Sequence, residues 1–383
     1  MPAQQRVGVA AERAHQGRKA RRAPARVIAV MSRSVKALSR TVKPAPAGRR
    51  KLASRHDRAR RRAGHLHGGD DAPAHAALAP RRARPEGTRM NKRRGRHETI
   101  VPRERPDFRL DETMPRYWYR GDAYKTRTFD GIQSGFPEGE RYFIASVRAF
   151  RDGIADPVLQ QEVRDFMRQE GQHGLAHAHY NALLERQGMP MRQMYEENLR
   201  MIGRWQARFS PAFNLAHTAA FEHFTATMAH AYFAEAAVME GADARMKALL
   251  AWHAIEEMEH KSVAFDVMQK VARVGYFTRV GAMAYAVVNM LRLTYRHTDR
   301  LLAADGYTRR QRLLLHVRHA LWMHGPRKGI YGSLASTLLA YFRPGFHPTQ
   351  QPTIHNYRAW LETWERTGDP FAACEALCAA AHR

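Results

Sequence analysis

Apolar residues recur at steps of three and four through the middle of the chain. Leu159, Val163, Phe166, Tyr180 and Leu184 mark one stripe, and Met246, Leu249, Ala264 and Val267 mark another. That spacing is the signature of a helix with one buried face, and no stretch alternates as a half-buried strand would. The punctuation agrees. The spacing predicts a first helix from Pro137 to about Arg151, with Gly153 just beyond it. A second opens with Asp156 as N-cap and Pro157 at its first position, and closes at Gly188. A third has Ser210 and Pro211 in the same two roles and stops near Gly241, and a fourth runs from about Asp243 to Val274, ahead of Gly275. Four successive helices without intervening strands predict an all-α bundle.

Beyond Gly275 the chain stays helical in character. Its longest apolar run, Val280 to Val288, falls short of the ~20 residues a membrane span needs. Arg343 to Pro348 reads as a turn and Asn356 to Arg366 as a further short helix, while Cys374 and Cys378 read as small buried residues of a C-terminal helix. The expected organisation is an extension at 1–100, an aromatic lead-in at 101–135, a bundle at 136–275 and a helical extension at 276–383 that packs on it.

Charge sharpens this division. Residues 1–100 hold 27 basic and 6 acidic side chains against 36 and 30 in the rest, so most of the formal +27 sits in the extension. Rich in Arg, Ala, Gly and Pro, that segment cannot bury enough apolar surface to offset chain entropy and is expected to be disordered. Nucleic acid, if bound at all, would be bound through it; a transit peptide, or a working start at Met90 or later, are its other readings. With two cysteines in the whole chain a disulfide framework is excluded, and a reduced, cytoplasmic setting is the expectation.

The chemistry lies in what interrupts the stripes. The second helix carries Glu170, His173 and His177 on its apolar face, and the fourth carries His253, Glu257 and His260 there. Glu140 lies on the stripe of the first helix, with Glu138 off it, and Glu222 lies mid-stripe on the third. A Glu and a His three apart share a helix face and can hold one metal ion. A single such pair is weak, since Glu12 and His15 in the basic extension show that chance supplies one. Four helices that each place a carboxylate at the centre of the buried face give the Glu, Glu-x-x-His, Glu, Glu-x-x-His order of ferritin-like dinuclear carboxylate proteins. Four buried carboxylates repel one another and lose hydration, and two divalent cations would offset both effects. Oxygen and imidazole donors suit iron or manganese, with zinc also tolerated. His253 reads either as a seventh ligand or as a hydrogen-bond partner of one, and His177 as a neighbour of the ligands. Off the stripes, Glu256 and Glu259 are expected on a solvated face and His223 and His230 partly exposed. The competing structural reading pairs the inward glutamates with Arg141, Arg148, Arg164 and Arg168.

The blocks Phe136 to Phe143, Gln169 to Gly174, Glu222 to Thr225 and Trp252 to Asp266, with Tyr341 to Pro348, resemble the bacterial "predicted metal-dependent hydrolase" family from about Met114 to Thr367. His253-x-x-x-Glu257-x-x-His260 is similar to the three-histidine variant in p-aminobenzoate N-oxygenases, a likeness confined to the ligand pattern. Three functions follow as expectations. The first is a di-iron site that activates oxygen to oxidise a small organic substrate with electrons from an external donor. The second is a metal-hydroxide hydrolase of an ester, amide or phosphoester, as the family name implies. The third is non-enzymatic: metal storage, or nucleic-acid binding by the basic extension. No Gly-x-Ser-x-Gly elbow or phosphate loop is present; a homodimer is one possible assembly, and the sequence does not decide the oligomeric state.

Overall fold

The computed structural model describes residues 98–234, 238–326 and 329–381. The basic extension, up to residue 97, lies outside the described residues. An irregular segment with Phe108 and Leu110 buried leads into α1 (Ala123–Gln133), then α2 (Phe136–Arg148), α3 (Pro157–Arg186), α4 (Met191–Arg208), α5 (Pro211–Phe233) and α6 (Ala244–His260). The short α7 (Val263–Asp266) continues into a π-turn, Val267–Val271. There follow α8 (Tyr276–Ala304), α9 (Arg309–Arg318), α10 (Ala320–His324), α11 (Ala335–Ala340), α12 (Tyr357–Thr367) and α13 (Pro370–Ala380). Among the described residues there is no strand, only an isolated bridge between Tyr119 and Ala242. No helix is long and apolar enough to cross a membrane.

The predicted caps are in place. Asp156 accepts from Val158 N at 2.9 Å and Ser210 from Phe213 N at 3.2 Å, so each side chain satisfies a donor that the first turn leaves open. The ends differ from the prediction. The third predicted helix stops at Phe233 rather than near Gly241, and the fourth breaks at Lys261 and Ser262 before resuming as α7. Between the second and third predicted helices lies α4, which turns Met194, Asn198, Ile202 and Trp205 inward at steps of three and four.

Four helices close the core: α2 packs on α3 and α5, and α6 packs on α3 and α5. α13 lies on another side of α6, and α8 bridges α1 and α5. Every residue of α6 from Ala248 to His260 is consequently buried, and so is every residue of α5 from Asn214 to Ala229. A helix packed all round has no solvated face. This corrects three expectations. Glu256 and Glu259 are buried because the segment at 98–110 covers that side of α6, with Val101 N and Arg103 N each donating to them at 3.1 Å. His223 is buried between Tyr341 and Phe346, with ring centroids 5.1 and 5.0 Å away. His230 is exposed, as expected.

A buried ion network fixes α1 against its neighbours. Arg127 pairs with Asp130 and with Asp305 at the end of α8, both at 2.7 Å. Asp130 also accepts from Trp118 Nε1 at 2.9 Å and from the Tyr180 hydroxyl of α3 at 2.5 Å. Removing the guanidinium would leave buried Asp130 with neutral donors alone and Asp305 with only the half-exposed Arg116. Arg127→Met should therefore cost about 3 to 5 kcal/mol, read as a lowered urea midpoint; an unchanged midpoint would show that the network contributes nothing.

Candidate metal centre

The four core helices deliver their stripe residues to one place. α2 supplies Glu140, α3 supplies Glu170, His173 and His177, α5 supplies Glu222, and α6 supplies His253, Glu257 and His260. None of the eight is more than 6% exposed. His260 Nε2 lies 3.1 Å from Glu170 Oε1, 3.3 Å from Glu222 Oε2 and 3.6 Å from Glu257 Oε1. His173 Nδ1 lies 3.7 Å from Glu170 Oε1 and 3.8 Å from Glu257 Oε1. Donor atoms of Glu140, Glu170 and His173 fall within 4.8 Å of one another, as do those of Glu170, Glu257 and His260. Glu170 and Glu257 thus stand in both neighbourhoods. Gly174 permits this closeness, because a Cβ there would sit 3.1 Å from Glu140 Oε2.

These atoms face one another without hydrogen-bond geometry. Both oxygens of Glu140, Glu170 and Glu222 have no hydrogen-bond partner in the protein, nor do His173 Nδ1 and His260 Nε2. Buried polar atoms are otherwise almost always paired, so a convergent set of orphans asks for a partner that is not protein. The opposite ring nitrogens are firmly held. His173 Nε2–H donates to Glu256 at 3.1 Å and His260 Nδ1–H donates to Gln169 Oε1 at 2.8 Å. Each bond holds the outward N–H, so the inward nitrogen is the one that would offer its lone pair to a metal on losing its proton, the usual support of a metal-binding histidine.

Behind them stands a second ring. Glu256 also accepts from Trp252 Nε1 at 3.0 Å, and Glu259 accepts from Gln169 Nε2 at 2.7 Å and from the Tyr357 hydroxyl at 2.8 Å. Arg103 bridges both carboxylates, at 3.2 and 2.7 Å. The predicted arginines do not play this part. Arg141 pairs with Glu138, Arg168 with Glu104, and Arg164 bonds Gln161; among the described residues no guanidinium pairs with Glu140, Glu170, Glu222 or Glu257. Arg103, Gln169, Glu256 and Glu259 escaped the stripe reading. The one sign of them in the sequence is the crowding of Glu256, Glu257 and Glu259 into an otherwise apolar helix.

His253 and His177 form a chain. His253 Nε2–H donates to Glu257 at 2.9 Å, and His253 Nδ1 lies 2.6 Å from His177 Nε2. The Thr225 hydroxyl donates to the other Glu257 oxygen. Both nitrogens of His253 are thereby engaged within the protein.

Electrostatics sorts the cluster into charged and neutral members. Burial and the Glu170 charge push Glu140 well above the carboxylate range, and burial with Glu170 and Glu257 pushes Glu222 up to about 8. Burial opposes ionisation of Glu170 and Glu257 too, but the adjoining histidines outweigh it and hold both low. His173 rises to about 10 against its own burial because Glu170 and Glu256 flank it, and His260 rises for the same reason beside Glu170, Glu222 and Glu257. Burial, then the charge on neighbouring histidines, pushes His253 and His177 down. The upward shifts of Glu140, Glu222, His173 and His260 all favour proton uptake by the set in the absence of metal. The donor set and its outer hydrogen bonds therefore fit divalent metal, which would take the place of those protons.

Gln169→Leu removes the acceptor that orients His260 while leaving the helix intact. It should weaken divalent-metal binding ~10- to 100-fold, measured by competition with a chromogenic chelator; unchanged affinity would show that Gln169 does not support the site.

The sequence profile of a family described as "Predicted metal-dependent hydrolase" matches residues 102–352. No curated protein and no solved structure matches the chain. The matched span takes in all four core helices, the eight clustered side chains and Arg103, and on that match the chain belongs to the predicted metal-dependent hydrolase family.

Proposed function

We propose that Glu140, Glu170, His173, Glu222, Glu257 and His260 hold two divalent metal ions, and that the protein is an enzyme whose reaction on a small organic molecule depends on them. The observation that carries this reading is the convergence of buried, unpartnered carboxylate and imidazole atoms from four helices. Glu170 and Glu257, each near both histidines, would be shared by the two ions. His253 aims Glu257 through its hydrogen bond and would become a seventh donor only by exchanging it. Oxygen and imidazole donors without a thiolate favour iron or manganese over a structural zinc site.

The reading preferred for the reaction is oxygen-dependent oxidation. On the side of Glu140 and Glu257 the cluster adjoins the apolar rings of Phe136, Phe143 and Phe221, a surrounding that suits a small organic substrate. The chain's own contribution is to hold the carboxylates in register, keep His173 and His260 in the binding tautomer and exclude solvent. Redox-active ions would supply electrons to oxygen, whereas redox-inert ions would supply acidified water and a polarised carbonyl or phosphoryl group. The oxidative route draws further electrons from a separate donor. The hydrolytic route is the second reading, favoured by the family description.

Loading the full chain with ferrous iron and, separately, with zinc distinguishes them. The iron form should consume oxygen in the presence of a reductant, and Glu170→Ala and Glu257→Ala should lose both the metal and the uptake. Hydrolysis of p-nitrophenyl butyrate by the zinc form without oxygen, together with an inert iron form, would select the hydrolase. Failure of the wild-type chain to retain either metal would overturn both.

A further inference from the structure

A cavity of about 80 Å³ lies beside the cluster, lined by α1, α2, α4, α5, α6 and α8. Glu140, Thr225, His253 and Glu257 form one end, and Phe143, Trp205, Phe221 and Leu293 are among its walls. No lysine or arginine lines it. The polar groups away from the cluster are already committed. Thr294 bonds the Tyr331 hydroxyl at 2.5 Å, His297 Nδ1 lies 3.0 Å from Ser134 Oγ, and Asn198 Nδ2 lies 3.4 Å from Glu138 Oε2. A charged substituent placed here would lose its hydration and find no counter-ion, a cost of several kcal/mol.

Gly139 supplies an independent sign that the space is kept open. It sits inside α2, where glycine is disfavoured by about 1 kcal/mol relative to alanine, and its φ is not positive, so the backbone does not require it. A Cβ at Gly139 would meet nothing nearer than the Phe143 ring edge at 3.9 Å. What a larger residue would do is project into the cavity. The volume is about half that of the ~150 Å³ closed cavity that accepts benzene, but this space is partly open to solvent, so a single ring is the upper limit and would sit with one edge at the mouth.

We propose that this cavity is the substrate pocket of the metal centre and that it takes a compact, uncharged hydrocarbon group, at most one ring in size, with the reacting polar atom turned towards Glu140 and Glu257. The assignment as a substrate pocket rests on the reading of the cluster as a metal centre. Long acyl chains, sugars and phosphorylated metabolites are excluded from it by size and by the lack of a distal ionic partner.

Fluorine NMR of the full chain, with and without diamagnetic zinc, tests this using fluorobenzene as the neutral probe and 4-fluorobenzoate as its charged counterpart. Saturable fluorobenzene binding is expected in both states, and without zinc, when no cation is present to take a carboxylate, 4-fluorobenzoate should bind at least ~10-fold more weakly. Gly139→Leu should reduce fluorobenzene binding ~10-fold or more by filling the space, at unchanged zinc content and circular dichroism. If that variant does not fold, Leu293→Trp fills the cavity from α8 and should do the same. Absence of saturable binding to wild type, equal affinity for the two probes without zinc, or undiminished binding to a folded filled variant would each overturn the proposal. Fluorobenzene binding without zinc binding would instead overturn the metal centre, and with it the pocket's role as a substrate site.

Discussion

Four carboxyl groups share one dry interior, and they cannot all be ionised there unless positive charge comes with them. Burial alone would protonate each, and their mutual repulsion adds to that tendency. The protein balances the set in a particular way: His173 and His260 favour the charge on Glu170 and Glu257, while burial and the neighbouring carboxylates push Glu140 and Glu222 up. Protons offset the negative charge in the absence of metal, and on the proposed reading two divalent cations would offset it in their presence. Exchange of one for the other would then need no large change of net charge in the core, and the four helices could stay packed through it.

The surrounding architecture follows from keeping that exchange dry and aligned. α5 and α6 are enclosed on all sides, and the irregular segment at 98–110 completes the enclosure by laying Arg103 across Glu256 and Glu259. Those two carboxylates are themselves affordable only because Arg103, Trp252, Tyr357 and Gln169 satisfy them. The inner histidines inherit their orientation from this outer ring, so a segment with no secondary structure of its own governs which ring nitrogens point inward.

Much of the cluster was legible in the sequence, for a reason tied to periodicity. Glu140, Glu170, His173, Glu222, Glu257 and His260 replace apolar residues on stripes that must face a core, so their burial follows from spacing alone. Glu256, Glu259 and His223 were misjudged because the same logic assigns every off-stripe position to water, and α5 and α6 have no watery side. Arg103 and Gln169 carried no periodic signal, the first because it sits in an irregular segment and the second because a glutamine off the stripe reads as surface. α4 went unpredicted because Glu196, Glu197 and its arginines dilute a sound inward face of Met194, Ile202 and Trp205. The apolar cavity could not be read at all, since it depends on how six helices meet, and only Gly139 hinted at it.

The most direct test of the exchange is calorimetric titration of the metal-free chain with zinc at pH 7 in two buffers of different ionisation enthalpy. Two ions should bind per chain with net release of protons, drawn from His173, His260, Glu140 and Glu222, whose pKa values are all raised. Because protons compete with the metal, binding should strengthen as pH rises from about 6 to 8. Absence of binding, or binding with no proton release and no pH dependence, would contradict the account.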